Sequence, residues 1–271
     1  GAVDIARLRF WLSLIVDEKS PEALPNLDFK IMQGNSLLEQ YKGADLATMT
    51  EKKVGAGQGV TIFDSMLDVY RKNLRDKLTE YYACPEHDKK VQLRKDIADI
   101  VKKELSEQGI NIDFGDIDMS ANNQFFLWHT WFHDVFSRPS KEGFDIVIGN
   151  PPYVKEYVNR HAFDGFRETS PYYMGKMDLW YGFACHGIDL LCQSGHLCFI
   201  AQNNWTTSAG AKKMRNKIVE DACILQMIDF NTYMVFENAD IQTMIMLFEK
   251  NQTADNYGLD YRIMTEDATK E

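Results

Sequence analysis

Phe144-Asp145-Ile146-Val147-Ile148-Gly149, followed by Asn150-Pro151-Pro152-Tyr153, is the stretch on which the reading of this chain turns. The first six residues form a nearly continuous apolar run closed by a turn, the pattern of a central parallel strand buried on both faces. The carboxyl end of such a strand is where doubly wound sheets place their ligands. Two prolines fix the backbone there and remove two amide donors, so the carbonyls are free to accept hydrogen bonds. The Asn150 side chain adds an acceptor beside the Pro151 carbonyl. Together they make a rigid clamp for a planar NH₂ group, and Tyr153 offers a face for stacking. The residues thus describe a site for an exocyclic or amide amine.

Working outward, Asp178 to Cys192 reads as a helix and His196 to Ala201 (HLCFIA) as a buried strand. Lys212 to Glu220 reads as a helix with exposed basic residues, and Ile224 to Phe230 and Thr243 to Phe248 as strands. Strands alternating with helices predict an α/β fold with a doubly wound, mostly parallel sheet. Upstream, Phe125 to Phe136 (FFLWHTWFHDVF) fits either a strand or a buried helix. Thr61 to Glu80 and His87 to Glu107 are amphipathic and densely charged, with Tyr81 to Cys84 and Pro85 between them. They predict a helical hairpin with a solvated face. Leu27 to Met32 (LDFKIM) predicts a short strand ending at a Gly34-Asn35-Ser36 turn, after breakers at Pro21 to Pro25. Ala2 to Val16 is apolar on nearly every face and predicts a helix buried on most sides. It lacks a capping residue, so further sequence is expected upstream. The expected organisation is residues 1–38 as the N-terminal part of one domain, 39–125 as a helical insertion, 126–250 as the catalytic part, and 251–271 as the start of a C-terminal extension.

Composition narrows the class. The chain has 271 residues, 45% of them hydrophobic and 26% charged, which excludes a disordered, collagen-like or disulfide-scaffold protein. The longest apolar candidate, Tyr181 to Ile200, is interrupted by His186, Asp189, Gln193 and His196, so no membrane span is expected. No signal peptide is visible. Five cysteines with no CxxC pair read as reduced thiols of a cytoplasmic protein. A net charge of −10 argues against a self-sufficient nucleic-acid binder, though not against a catalytic part whose polyanion contacts lie elsewhere.

In order along the chain, these blocks resemble the motifs of amino methyltransferases that use S-adenosylmethionine. They are most similar to the adenine-N6 DNA methyltransferases of restriction–modification systems, in particular the Type IIG branch. The strand ending in Asn150-Pro151-Pro152-Tyr153 resembles motif IV. LDFKIMQGNSLL resembles motif III, with Asn35 in place of the more common Asp. MDLWYGFACHGIDLL resembles motif V and GHLCFIAQNNW motif VI. ACILQMIDF with MVFENADIQTMIMLFEK resembles motifs VII and VIII. The resemblance covers about two thirds of the chain and leaves the 39–125 insertion outside.

The resemblance implies a Rossmann-like methyltransferase fold, S-adenosylmethionine as cofactor and no metal. It implies double-stranded DNA as substrate, held largely by regions outside this chain, and a restriction or specificity subunit or domain as partner. Asn150 and Pro151 would accept the N6 hydrogens of a flipped adenine, with Pro152 holding the turn, and Tyr153 would stack on the base. Phe236 matches the second aromatic around that base, and Asn35 would approach the cofactor's adenine. The base must leave the duplex because its amino group is otherwise paired. The family's Phe-x-Gly-x-Gly loop and the ribose-binding acid are expected before Ala2, and its target-recognition domain after motif VIII. The fragment alone is therefore expected to be inactive.

Other features read more plainly. Gly55 to Gly59 reads as a linker, not a cofactor loop. His129 and His133 sit four apart but lack a neighbouring ligand pattern, so packing outweighs a metal site. Asp178 reads equally as a helix cap or a pocket residue, and Asn203-Asn204-Trp205 as a loop at the same sheet edge. Lys212, Lys213, Arg215 and Lys217 read as a solvated face before a phosphate contact. Two alternatives remain. One is a protein-glutamine N-methyltransferase, which also holds an amine with this tetrapeptide; the roughly 115-residue separation of Asn35 from Asn150 and the presence of Phe236 weigh against it. The other is a catalytically silent methyltransferase-like scaffold.

Overall fold

The computed structural model of the chain describes residues 1–17, 26–46, 62–107, 109–236, 241–251 and 257–265. Pro21 to Pro25 and Gly55 to Gly59 lie outside the described residues. The chain divides into two compact units, Gly1–His133 and Asp134–Glu271.

The first unit is built on a helical hairpin, α2 (Ile62–Ala83) and α3 (His87–Glu107). Pro85 ends the run between them because it has no N–H to donate. Leu93, Ile97, Val101 and Leu105 recur every four residues along α3 and are buried. Leu74 and Tyr81 of α2 meet them, together with Phe29, Phe114, Phe125 and Leu127. Each such side chain contributes about 1.5–3 kcal/mol on burial. A two-residue hairpin, β1 (Gln40–Tyr41) and β2 (Ala44–Asp45), turns at Lys42-Gly43. Phe125 to Phe136 resolves into a loop and two single-turn helices, α4 (Trp128–Trp131) in this unit and α5 (His133–Phe136), which begins at its last residue.

Two expectations fail in this unit. Residues 27–32 form a turn, not a strand: the N–H groups of Lys30 and Ile31 both donate to the Leu27 carbonyl, at 3.1 and 3.0 Å. Phe29 takes a left-handed backbone (φ 58°), which costs about 1–2 kcal/mol. Its buried ring lies edge-on to Tyr81 at 5.2 Å, and burial with that contact outweighs the backbone cost. The expected helix α1 (Ala2–Asp17) is present but not buried; Phe10, Leu12, Ile15 and Val16 are exposed. A helix apolar all round needs neighbours on every side. Within its unit α1 is tied at Arg7, which pairs with Asp28 at 2.9 Å and donates to the Ile31 carbonyl.

The second unit is an α/β sheet. Its strands are β3 (Phe144–Gly149), β4 (Leu191–Gln202), β5 (Ala222–Asp229), β6 (Thr243–Lys250) and β7 (Asp260–Ile263), in the order β3-β4-β6-β5-β7. Only β6 runs against the others, so the carboxyl ends of β3, β4 and β5 share one edge. Helix α7 (Leu179–Leu190) lies against β4 and α8 (Lys212–Asp221) against β5, and the two helices touch. A single-turn helix, α6 (Phe166–Thr169), precedes them. Leu197, Phe199 and Ala201 alternate into the core with Met244, Met246 and Phe248 of β6.

Strand β3 was expected to be central and is instead an edge strand, paired only with β4 among the described residues. Ile146 and Ile148 are 67% and 79% exposed. An apolar run reports a strand suited to burial on both faces, but it does not name the neighbours that would bury it. The five cysteines are free, and four are buried. Among the described residues no helix is long and apolar enough to cross a membrane.

Candidate active site

Strand β3 ends at Gly149, which packs against the Phe199 ring of β4; a Cβ there would sit 3.2 Å from it. This close approach lets the next four residues leave the sheet directly at its carboxyl edge. Pro151 is buried, Tyr153 half-buried and Asn150 exposed. The Tyr153 hydroxyl lies 2.7 Å from Oδ1 of Asn150 and 2.8 Å from the Ile200 carbonyl oxygen near the end of β4. Burial, and then the Asp178 charge, push the Tyr153 phenol up to about 12. It stays a neutral hydrogen-bond donor throughout the physiological range.

Asp178 precedes α7 but makes no capping bond to it. Its Oδ1 accepts from the Val154 N–H at 2.9 Å, immediately after Tyr153, while Oδ2 is buried without a partner among the described residues. Burial raises the carboxyl above its ordinary value, and nearby backbone N–H groups pull it back. Besides the two roles read from the sequence, helix cap and pocket residue, Asp178 thus has a third, a strut under the turn. Leu179 N–H donates to the Val154 carbonyl at 2.9 Å, and Glu156 N–H to the Met177 carbonyl at 3.0 Å. The Glu156 carboxylate accepts from the Tyr173 hydroxyl at 2.5 Å and from Lys176 N–H at 2.7 Å. The Tyr173 bond is the main cause of its lowered pKa. Sequence reasoning missed this bracing. The Ile200 carbonyl leaves no trace in a side-chain pattern, and Glu156 carries a signal only through its place three residues after Tyr153.

Other parts of the same edge fall into place through the topology. A short 3-10 turn, Asn203–Thr206, follows β4, and Asn203 donates to Asp229 at the end of β5 at 3.1 Å. Phe236 is half-buried in the bend after β5, so it leaves the sheet at the edge that carries Asn150. Asn35 belongs to the first unit. Its Oδ1 accepts from Leu37 N–H at 3.3 Å and its carbonyl from Leu38 N–H at 3.0 Å, which forms the expected turn.

The basic cluster on α8 divides: Lys212 and Lys213 are exposed, as expected of a solvated face, whereas Arg215 and Lys217 turn inward. Lys217 bridges Asp189 and Asp221, each at 2.5 Å, and Arg215 donates to the Trp205 and Ser208 carbonyls. Lys213 donates to the Pro171 carbonyl at 2.6 Å. The Arg215 and Lys217 heads close loops, because carboxylates and carbonyls of neighbouring elements lie within their reach. His129 pairs with Glu39 at 3.0 Å. No group of three or more His, Cys, Asp or Glu able to hold a metal occurs among the described residues.

Comparison with known proteins gives a consistent set. The chain is 23% identical over 308 aligned positions to a Methanocaldococcus jannaschii protein described as a type II restriction enzyme and methyltransferase; the match covers 92% of this chain and 25% of that protein. It is 30% identical over 96 residues to the type II methyltransferase M.BstVI of Geobacillus stearothermophilus, covering 35% of this chain and 17% of the relative. Thus the chain spans about a quarter or less of the length of these relatives. Among solved structures, the type I restriction enzyme EcoKI M protein aligns with a TM-score of 0.30 at 12% identity, over 72% of this chain and 38% of that one. Residues 1–236 match one family along most of the sequence, and the chain belongs to it: the Eco57I restriction-modification methylase family.

Proposed function

We propose that this chain carries the catalytic base pocket of a DNA methyltransferase that transfers a methyl group from S-adenosylmethionine to the N6 amine of a flipped adenine, within a restriction–modification system. The observation that carries this reading is the pair of acceptors at the end of β3. Asn150 is exposed with its carboxamide oxygen held by Tyr153, and the adjacent Pro151 carbonyl faces no competing amide from Pro152. A carbonyl oxygen has two lone pairs, so Oδ1 of Asn150 keeps one for a substrate N–H after accepting from Tyr153. Two such acceptors fix both hydrogens of an NH₂ group and draw its lone pair out of conjugation, which makes the nitrogen more nucleophilic. Tyr153, and Phe236 from the same sheet edge, would hold the planar ring. Positioning and fixed dipoles then supply most of the rate enhancement.

The cofactor suits this edge on one structural ground. Among the described residues, Oδ2 of Asp178 and Oε1 of Gln202 are buried acceptors without partners, the kind that a ligand's N–H or O–H groups satisfy. When bound, the cofactor supplies an activated methyl group. Asn35 is proposed to approach its adenine ring, and double-stranded DNA to be held mainly by other parts of the protein.

The test is expression of the full-length protein in a host without adenine methylation, with nucleosides quantified by mass spectrometry. N6-methyladenine should appear and should fall on the order of 10²–10³-fold or more with Asn150→Ala. Folded, cofactor-bound protein that leaves the DNA unmethylated would refute the reading and favour a protein amide substrate or a silent scaffold.

A further inference from the structure

We propose that Tyr157 and Val158 form a wedge that enters the duplex where the extruded adenine has left. This rests on the adenine-methyltransferase reading and deepens it by naming what replaces the base. The two residues follow Tyr153 by four and five positions. They sit at the crest of a tight turn in which Val158 and Asn159 N–H groups both donate to the Lys155 carbonyl, at 2.9 and 3.1 Å. Val154 is fixed by Asp178 and Leu179, and Glu156 by Met177, Tyr173 and Lys176. The next two side chains are nevertheless 78% and 71% exposed.

A single exposed apolar residue needs no explanation. Here an aromatic and a β-branched side chain stand together on a support held by hydrogen bonds on both sides. A turn that only connected two elements would serve equally well with polar residues. The ring is carried by the loop that leaves the base clamp, so its place relative to the clamp is set by the same bracing.

The charges around the crest indicate what it meets. Lys155 lies 5.9 Å from the Tyr157 ring centroid, and Arg160 follows Val158 by two residues. Neither is in an ion pair among the described residues, whereas Arg167 nearby is neutralised by Glu168 at 2.6 Å and Asp164 at 3.1 Å. Each lies within the field of one carboxylate, Lys155 of Asp178 and Arg160 of Glu156, without a direct bridge to it. Cations not locked in a bridge beside an apolar tip complement phosphates flanking an opened base step. A ring inserted there regains stacking worth about 1–3 kcal/mol, of the same order as the unstacking cost.

The test uses the full-length protein, wild type and Tyr157→Ala/Val158→Ser, on two duplexes carrying the sequence it methylates. One is intact; in the other the nucleotide opposite the target adenine is abasic, which makes extrusion easier. The variant should lose about 5- to 150-fold in kcat/KM on the intact duplex, the loss equivalent to that stacking energy. On the abasic duplex it should stay close to wild type. Tyr157→Trp, which keeps a stacking surface, should retain activity on both. Undiminished activity of the double variant on the intact duplex would overturn the wedge, as would an equal loss on both duplexes or a Tyr157→Trp loss equal to that of the double variant. A wild-type protein that methylates neither duplex would instead overturn the adenine-methyltransferase reading on which the wedge depends.

Discussion

The Tyr153 hydroxyl donates to Oδ1 of Asn150 at 2.7 Å, closing the Asn-Pro-Pro-Tyr turn on itself. The same hydroxyl lies 2.8 Å from the Ile200 carbonyl, so one proton serves two acceptors and ties the turn to β4. The acceptor proposed for the substrate amine is thus oriented by the residue proposed to stack on the base. Tyr153→Phe separates the two roles. It should leave ring stacking intact, cost about 1 kcal/mol in stability, and lower kcat by about 10-fold with little change in DNA affinity. Single-turnover kinetics and a binding titration check both halves. An unchanged kcat would mean that Asn150 needs no orienting partner.

The raised Tyr153 pKa has a definite pH consequence. The neutral donor persists until the pH nears about 12, because burial and the Asp178 charge disfavour the phenolate. No tyrosine ionisation should therefore appear in the kcat profile between pH 7 and roughly 10. An alkaline limb in that range, absent from Tyr153→Phe, would contradict this.

Asp178 should reveal itself by a contrast between two substitutions. Its folded-state pKa is raised, so the folded chain binds its proton more readily than the unfolded chain does. The stability this group contributes is full below the ordinary carboxylate value and declines as pH rises through the raised one. Asp178→Asn keeps an acceptor for the Val154 N–H and removes the buried charge. At neutral pH its melting temperature should equal or exceed that of wild type. Asp178→Ala strands that N–H and should cost about 1–3 kcal/mol.

Glu104 on α3 makes a similar prediction in the first unit. It is almost fully buried, and burial pushes its carboxyl up to about 7, with the Arg71 charge pulling the other way. Its folded pKa lies above the unfolded value, so its contribution declines as pH rises from about 4.5 through 7. Glu104→Gln should flatten that decline. Urea unfolding at pH 5 and pH 8 measures it, and parallel pH dependence in both proteins would show that another group is responsible.

Phe236→Ala tests the second aromatic. If its ring holds the extruded base, the variant should bind a duplex with 2-aminopurine at the target position about 1–3 kcal/mol more weakly, with smaller fluorescence enhancement. Equal enhancement would place Phe236 outside the base pocket.

The rigid turn from Asn150 to Tyr153 was legible because proline acts through covalent structure. Missing N–H groups and a fixed φ belong to Pro151 and Pro152 in any fold. The α2–α3 hairpin was legible because Leu93, Ile97, Val101 and Leu105 repeat at helical spacing and Pro85 stands between the helices. Residues 27–32 misled because alternation fits a strand and a turn alike when one ring, that of Phe29, has a buried slot to fill. Helix α1 misled because apolar composition reports what a helix prefers to touch, not what lies beside it.

By itself the sequence determined the α/β alternation, the hairpin and the backbone constraint at Pro151 and Pro152, since periodicity and covalent constraint are local properties. Tertiary structure decided that β3 lies at an edge, that Asp178 braces Val154, and that Lys217 closes on Asp189 and Asp221 instead of facing solvent. These are meetings between residues distant in the chain. Their energies depend on distance and burial, and neither exists until the sheet has formed.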